Sequence, residues 1–393
     1  MRAASRHNLA LSFAGIGAAT AAAHIGNNFT TYLVGGLIDR FGFSPIQMGT
    51  WSMAETLAYA AAMFLVAPRA QWLNGRALAI VATLIVVAAQ FSSAWMADFV
   101  PLLGGRIATG FGFGLMNSAV NLAAGRTDHP AKAISAGIAV QTVLFAAVNI
   151  GLPMVGARHG VSGMFVALAG LSALLGLFAL MLPGGPSKAP ETVAEGQAVQ
   201  PGLLGRDGAR VLLAMALFAF GSLAIWPFME RAAHAIGLPA TTFGQYQSLA
   251  TLLSALGNLG LVAVVGRLPR AWPIAIALAT CGCACALLTT VAAPWAFAAA
   301  LITYNVSWFI TYPLLLGLAY SADGAGRLAV LTTGTWLLSQ SLGSLAAGTI
   351  AQLFGGYAPV GPLGLAFCLA AIATAWPLAR RIDRFTAGSS SGN

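Results

Sequence analysis

Residues 183–208, PGGPSKAPETVAEGQAVQPGLLGRDG, separate two long apolar halves of the chain. The segment is rich in Pro and Gly and carries charges of both signs, as flexible linkers do. On each side of it lie six apolar runs, each near the ~20 residues that a helix needs to cross a bilayer. The segment therefore predicts the joint between two six-helix halves.

The composition excludes a soluble globular domain. Of the 393 residues, 58% are hydrophobic and 7% are charged, whereas soluble domains are roughly a quarter charged. Backbone groups in lipid are satisfied within helices or closed barrels, and the sequence shows no alternating ten-residue strands of a barrel. We therefore predict an all-α polytopic membrane protein, whose net charge of +9 reflects basic loops on one membrane face and needs no nucleic acid.

The apolar runs predict about 12 transmembrane helices in two pseudo-symmetric six-helix bundles. We assign residues 1–182 to an N-terminal bundle, 183–208 to a cytoplasmic linker, 209–384 to a C-terminal bundle and 385–393 to a disordered tail. The predicted spans are 9–34, 46–67, 77–96, 101–124, 133–154, 161–182, 209–230, 243–265, 273–293, 295–319, 328–353 and 359–379.

The distribution of Lys and Arg predicts the orientation. With the N-terminus inside, Arg106 falls within a span, and the outer face receives only Arg40, Arg158 and Arg231. Every other Lys and Arg then faces the cytoplasm, as the positive-inside rule requires. We therefore expect a multi-pass protein of a bacterial-type inner membrane with both termini in the cytoplasm.

A constant offset of 195 residues relates landmarks in the two halves. One such offset across three loops indicates duplicated halves. The paired positions are Gly42 and Gly237, Gly49 and Gly244, Asp128 and Asp323, Lys132 and Arg327, and Gly160 and Gly355.

Residues 106–114, RIATGFGFG, resemble the R-x-x-x-G-x-G-x-G signature that major facilitator transporters carry in their fourth span. Together with the two six-helix halves and the long central loop, this makes the chain similar to the major facilitator superfamily over residues 9–379. The resemblance implies that fold, a central cavity lined by spans one, four, seven and ten, and transport by alternating access.

Other signatures of that superfamily are degraded. Residues 69–76, RAQWLNGR, follow the second span and keep Gly75 and Arg76, but they contain no acidic residue. Residues 35–42, GGLIDRFG, match the G-x-x-x-D-R-x-G loop but follow the first span, on the predicted outer face, so we interpret the match as coincidence. Residues 149–153, NIGLP, are a poor match to the antiporter motif, which weakens a drug–proton antiporter.

Four ionisable side chains are predicted at membrane depth, where charge is costly and usually functional. Glu55 is either a proton-coupling carboxylate or the structural partner of Arg106. Arg106 binds an anion or couples protons, the second being implied by the resemblance, or it locks helices together. His24 titrates during transport or packs as a neutral residue, and Glu230 faces a cavity or lies in headgroup water.

Polar and aromatic side chains recur at helical spacing in several spans, which indicates a solute pathway. Spans three, six and twelve are almost wholly apolar. Tyr312 is left out of the pathway because a Tyr near a helix end is more often an interfacial anchor. The candidates for the substrate cavity are His24, Asn27, Asn28, Thr31, Arg106, Asn117, Gln141, Ser222, Trp226, Tyr304, Asn305, Trp308, Trp336 and Gln340.

The sequence therefore predicts a secondary transporter that moves a small amphipathic, aromatic or anionic organic solute. We expect this transport to be coupled to protons and to need no cofactor. The alternatives are a multidrug or metabolite efflux antiporter, a passive channel or facilitator, and an intramembrane enzyme. The sequence contains neither G-x-x-x-x-G-K-[ST] nor H-E-x-x-H, and Cys281, Cys283 and Cys285 do not share one helix face, so we predict no nucleotide site, metal or cofactor. The expected partners are the solute, protons and lipid, with the protein working as a monomer.

Overall fold

The computed structural model describes residues 2–69, 72–124, 126–127, 130–182, 205–264, 269–322 and 327–390. The described residues form helices joined by short connections, and they belong to two compact units. Unit 1 comprises Met1–Gln47 and Trp51–Val193, and unit 2 comprises Met48–Thr50 and Ala194–Asn393. The predicted linker 183–208 lies outside the described residues up to residue 204.

The described residues of unit 1 form five α-helices. Helix α1 packs against α4 and α5, and α3 packs against the same two helices. A short 3₁₀ turn, Ala67–Arg69, follows α2. The helices are α1 Arg2–Phe41, α2 Pro45–Val66, α3 Gly75–Ser93, α4 Phe99–Ala124 and α5 Pro130–Ala179.

Among the described residues of unit 2 there are seven α-helices and a 3₁₀ turn, Trp226–Phe228, that interrupts the first span. Helix α6 packs against α11 and α12, α9 packs against α10 and α12, and α8 packs against α10. The helices are α6 Arg206–Ala224, α7 Met229–Ala235, α8 Ala240–Val264, α9 Ala271–Thr290, α10 Pro294–Ala322, α11 Arg327–Phe354 and α12 Val360–Ser390.

The two units repeat the same backbone landmarks at the offset found in the sequence. Helices α2 and α8 begin 195 residues apart, and so do α4 and α10. Within the described residues, the glycines with positive φ are Gly42 (66°), Gly160 (63°), Gly237 (79°) and Gly355 (68°), which form two pairs at that offset. A residue with a side chain rarely adopts such a φ, so the chain turns at equivalent points in the two units.

The first predicted boundary shows how one of these turns is built. Helix α1 extends to Phe41, so GGLIDRF forms its last turns instead of the loop that the sequence predicted. Gly42 then reverses the chain, and Ser44 caps α2 by accepting the Gln47 backbone N–H at 3.3 Å. The Gln47 side chain accepts the Ser44 N–H at 2.9 Å, which completes a capping box in front of Pro45.

Spans five and six are separated as predicted, because α5 consists of two helices that meet at a kink where Gly160 has non-helical φ and ψ. Two other predictions of span boundaries differ from the structure. Span seven is broken at Pro227, which lacks the N–H needed to continue the helix, so α7 is a separate element. Helix α12 continues to Ser390 and includes much of the tail predicted to be disordered, because no Pro and no Gly interrupts it between Pro377 and Gly388.

Seven helical segments in the described ranges are long and apolar enough to cross a membrane. They include α3, α4, most of α5, the interrupted segment Arg206–Ala235, α9, α10 and Val360–Arg384. The long helices α1, α2, α8 and α11 fall outside this set. These four helices carry polar side chains such as His24, Glu55, Gln247 and Gln340, which lower their hydropathy.

Candidate functional site

A buried ion pair joins α2 and α4 inside unit 1. Glu55 and Arg106 are each 3% exposed, and the guanidinium Nη2 contacts the carboxylate Oε2. The same Nη2 contacts the Thr30 hydroxyl of α1, which lies 3.3 Å from Oε2 of Glu55. Glu55 therefore lies beside Arg106. Both interpretations of Glu55, as a proton-coupling carboxylate and as a structural partner of Arg106, require this contact.

The guanidinium also rests on an aromatic face. Its carbon Cζ lies 3.8 Å from the ring centre of Trp51, one turn before Glu55 on α2. The Trp51 indole N–H donates to the backbone oxygen of Leu102 at 3.2 Å, which fixes the ring. A cation held over a ring in this way is stabilised by the ring quadrupole, most strongly where water is excluded. Arg106 thus keeps one favourable contact that does not depend on the charge of Glu55.

Glycines of the signature RIATGFGFG make room for this pair. A Cβ at Gly110 would lie 2.2 Å from the backbone oxygen of Glu55, and one at Gly114 would lie 2.3 Å from that of Tyr59. Gly112, on the other side of α4, faces α3, where a Cβ would lie 2.6 Å from a side-chain methyl group. The alternating glycines therefore let α2 and α3 approach opposite sides of α4, and Arg106 stands one turn before Gly110.

A glycine of α1 accommodates the carboxylate itself. A Cβ at Gly26 would lie 1.8 Å from Oε1 of Glu55 and 2.3 Å from the ring of Phe113. The position faces α2 and α4, one turn before Thr30, whose hydroxyl also lies 2.7 Å from the Gly26 carbonyl oxygen. Sequence reasoning missed Gly26 and Thr30, because a Gly and a Thr in an apolar helix carry no ionisable signal.

The pair is incompletely hydrogen-bonded. Oε1 of Glu55 and Nε of Arg106 are buried, and neither has a hydrogen-bond partner within the described part of the chain. A buried polar atom left in this way costs ~1–3 kcal/mol, and more when it is charged. Adding a proton to the carboxylate would remove its charge, but it would leave the buried guanidinium charge without its partner.

His24 and Asn28, two members of the predicted polar patch of α1, form hydrogen bonds along their own helix. The His24 Nδ1 donates to the Thr20 carbonyl oxygen at 2.8 Å, as it can in either the neutral or the protonated ring. The Asn28 amide donates to the His24 carbonyl oxygen at 2.9 Å. His24, Asn27 and Asn28 are half-buried, whereas Thr31 is buried. These contacts are compatible with both interpretations of His24, as a titrating residue and as a packing residue.

The other candidates in unit 1 form contacts with residues other than Glu55 and Arg106. The Asn117 amide donates to Sδ of Met63 at 3.5 Å, which links α4 to α2. Gln141 is half-buried on α5. Eight residues further along α5, Asn149 is buried and its side-chain oxygen accepts the Tyr32 hydroxyl at 3.0 Å. This last bond ties α1 to α5 and indicates that Asn149 holds the bundle together.

Polar links from Tyr304 and Asn305 hold α10 against α6 and α8. The Tyr304 hydroxyl donates to the Ser222 carbonyl oxygen of α6 at 2.9 Å, while the Tyr304 ring stacks on Trp226 with centroids 6.5 Å apart. The next residue, Asn305, exchanges amide hydrogen bonds of 3.2 and 3.4 Å with Gln247 of α8. Gln247 is 4% exposed and was missed, although an amide inside the apolar run of span eight was a visible signal.

An aromatic box forms where α6, α10 and α11 meet; it consists of Phe218, Trp308, Tyr312 and Trp336. The Tyr312 and Trp308 rings are nearly parallel at 5.7 Å, and Trp336 lies 5.2 Å from Tyr312 and 6.1 Å from Trp308. Phe218 stacks against Trp308 at 6.0 Å. The Tyr312 ring therefore contacts two indoles of the same unit. Gln340 is buried one turn after Trp336 on α11.

Glu230 is not aligned with Ser222 and Trp226. The 3₁₀ turn at Trp226–Phe228 interrupts the helix, so the predicted spacing does not hold. Glu230 is 3% exposed, and its two carboxylate oxygens accept from Nε and Nη2 of Arg231 at 2.7 and 3.0 Å. The sequence could not show this, because adjacent helical residues ordinarily point in different directions.

The cysteines have the orientation that the sequence predicted. Cys281 and Cys285 are buried, Cys283 is exposed, and Cys368 of α12 is buried as well. Among the residues that the structure describes, no group of three or more His, Cys, Asp or Glu side chains could hold a metal ion. The buried thiols instead fill the contact between α9 and α12, where a Cβ at Gly282 would lie 2.8 Å from that of Cys368.

Comparison with known proteins places this geometry in a family. Residues 14–348 match the family model described as the Major Facilitator Superfamily. No curated protein sequence matches the chain.

Solved structures resemble the chain over nearly its whole length. The nucleoside transporter NupG matches with a TM-score of 0.72 at 14% identity, covering 93% of this chain and 97% of that one. A mutant of the peptide transporter POT matches with a TM-score of 0.73 at 12% identity, covering 95% of each chain. A D-xylose–proton symporter matches with a TM-score of 0.66 at 15% identity, covering 93% and 96%. Identities this low show the shared fold alone.

Proposed function

Since the chain belongs to the major facilitator superfamily and is a secondary transporter, we propose that it moves a small organic solute in steps coupled to protons. Transport follows alternating access, in which the solute site opens to one side of the membrane at a time. Glu55 carries the coupled proton, and Arg106 is the group that senses its charge. The family match confirms the resemblance to the superfamily that residues 106–114, RIATGFGFG, indicated, and it excludes the enzyme alternative.

The buried pair of Glu55 and Arg106 is the observation that carries this proposal. Ionisable groups at membrane depth are expensive, so they are kept mainly where they have a task. A purely structural pair would be expected to have its remaining donors and acceptors satisfied. Here one carboxylate oxygen and the guanidinium Nε are buried without partners in the described residues, which favours a pair that changes its charge during the cycle.

The coupling follows from the contacts of the guanidinium. While Glu55 is ionised, its carboxylate holds Arg106 against Thr30 and α2. Once Glu55 is protonated, the attraction between the two side chains falls, and Arg106 keeps only Trp51 and the Thr30 hydroxyl. The guanidinium is then free to move or to donate to another acceptor group. Helices α1, α2 and α4 thereby change their mutual contacts when the proton arrives or leaves.

We also propose that the chain lies in a bacterial-type inner membrane with its N- and C-termini in the cytoplasm. The predicted asymmetry of Lys and Arg supports this orientation. It places the linker 183–208 in the cytoplasm, between an N-terminal bundle of residues 1–182 and a C-terminal bundle of residues 209–384.

Flux into proteoliposomes tests the proposed function. A solute found by its stabilisation of the purified protein is supplied to vesicles with an imposed pH gradient of either polarity. One coupled proton supports about tenfold accumulation per pH unit, with the sign of the gradient distinguishing symport from antiport. Equilibration without accumulation under either gradient would instead identify a passive facilitator.

A further inference from the structure

The aromatic box of unit 2 is separate from the contacts of the Glu55–Arg106 pair in unit 1. Its four rings come from α6, α10 and α11, with centroid separations between 5.2 and 6.1 Å. Phe218 is fully buried at the back of the cluster, whereas Trp308, Tyr312 and Trp336 are half-buried. Three partly accessible ring faces against one buried ring make a surface on which another flat ring can stack.

Two hydrogen-bond donors in this cluster are unsatisfied. The indole Nε1 atoms of Trp308 and Trp336 are buried, and neither has a hydrogen-bond partner in the part of the chain that the structure describes. A buried indole N–H usually finds a partner, and the group only donates. In a transporter, a group that is closed off in one state becomes accessible in another. The two N–H groups therefore call for a ligand that carries acceptors.

The charges around the box point to a neutral ligand. The box itself consists of uncharged side chains, and Glu230 and Arg231 of the same unit are engaged with each other. An organic cation can rest on aromatic faces, but it offers no acceptor to the two indole N–H groups. Gln340, on the face of α11 that carries Trp336, adds an uncharged amide that both donates and accepts.

From these observations we propose that the aromatic box binds a planar, uncharged heteroaromatic ring whose carbonyl or ring-nitrogen atoms accept from Trp308 and Trp336. This inference rests on the proposed function for its physiological meaning, since it names the class of the transported solute. Stacking on Trp308 and Tyr312 supplies affinity for any flat ring, and the two N–H groups select rings with acceptors. Saturated and ringless solutes lack the first contribution, and hydrocarbon rings lack the second.

Binding to the purified full chain in detergent tests the proposal by titration calorimetry with uracil, adenine and nicotinamide. At up to about 10 mM, even a site with a Kd of ~1 mM is filled. We expect saturable binding of at least one of these rings. For uracil, the matched probe 5,6-dihydrouracil keeps both carbonyl groups but loses the flat ring, so it should bind at least about tenfold more weakly.

The variants separate stacking from hydrogen bonding. Trp308→Phe and Trp336→Phe keep a ring and remove one N–H each, so each should weaken the bound heterocycle about tenfold. Trp308→Leu removes the stacking face as well and should weaken it about a hundredfold. Trp272→Phe is the matched control, because Trp272 is 56% exposed on α9 and lies outside the box. This variant should bind the heterocycle with the same affinity as the unmodified protein.

Several outcomes would overturn the inference. They are no binding by any of the three rings, equal binding of dihydrouracil, tighter binding of tetramethylammonium, or unchanged affinity in Trp308→Phe and Trp336→Phe. The assay contains no membrane and no pH gradient, so its result is independent of proton coupling. A bound heterocycle that a pH gradient never accumulates would contradict the proposed function alone, and accumulation of a solute without such a ring would contradict this inference alone.

Discussion

Replacing Glu55 by Gln is expected to abolish the accumulation of solute that a pH gradient drives, while exchange of solute across the membrane continues. The amide has nearly the shape of the carboxylate and can still contact Thr30 and Arg106, but it cannot take up or release a proton. Because one coupled proton supports about tenfold accumulation per pH unit, the variant should remain near a ratio of one. Flux into proteoliposomes with and without the gradient measures both quantities.

Two further variants distinguish loss of coupling from loss of structure. Asp98→Asn removes an exposed carboxylate of the same unit and should leave accumulation unchanged. Glu55→Gln combined with Arg106→Gln removes the unpaired guanidinium charge that the single variant leaves buried, which costs ~3–5 kcal/mol in comparable pairs. The double variant should be more stable than the single one and still fail to accumulate solute. Accumulation by Glu55→Gln at the level of the unmodified protein would remove Glu55 from the coupling role.

Gly110→Ala is expected to lower the thermal stability of the purified protein more than a Gly→Ala change at any glycine of α4 outside the signature. Its Cβ would lie 2.2 Å from the backbone oxygen of Glu55 and 2.8 Å from its Cα. Because both atoms belong to the backbone, no change of rotamer relieves the overlap, and α2 and α4 must separate. Overpacking of this kind costs ~1–3 kcal/mol and occasionally more. The melting temperature in detergent measures the effect.

The control for this substitution lies earlier on the same helix. A Cβ at Gly104 would meet no atom within 4 Å, and Ala favours a helix over Gly by about 1 kcal/mol. Gly104→Ala should therefore melt at or slightly above the temperature of the unmodified protein. Equal melting temperatures for Gly104→Ala and Gly110→Ala would show that the signature glycine does not set the distance between α2 and α4.

Much of the fold could be predicted because hydrophobicity and glycine act locally. Apolar runs mark most helices that must meet lipid, and the offset of 195 residues found Gly42, Gly160, Gly237 and Gly355 before their positive φ angles were known. Pro227 was equally visible, yet a proline does not say whether a helix bends or stops. Whether α6 and α7 form one element depends on how the residues around the proline pack, which the sequence does not state.

The candidate site could be predicted only where charge was involved. Glu55 and Arg106 stood out because lipid makes any charge conspicuous, and their pairing followed from the need to neutralise each other. Gln247 was missed because its role depends on Asn305, a neighbour on another helix. The unsatisfied N–H groups of Trp308 and Trp336 have no sequence signature, since any Trp has the same group.

The most direct test of proton coupling through Glu55 counts protons when the solute binds. Calorimetric titration of the purified protein in two buffers with different ionisation enthalpies gives the number of protons taken up or released, and repeating it across a range of pH follows the group responsible. Coupling through Glu55 predicts a proton count that differs from zero in the unmodified protein and vanishes in Glu55→Gln. The same non-zero proton count in both proteins would contradict it.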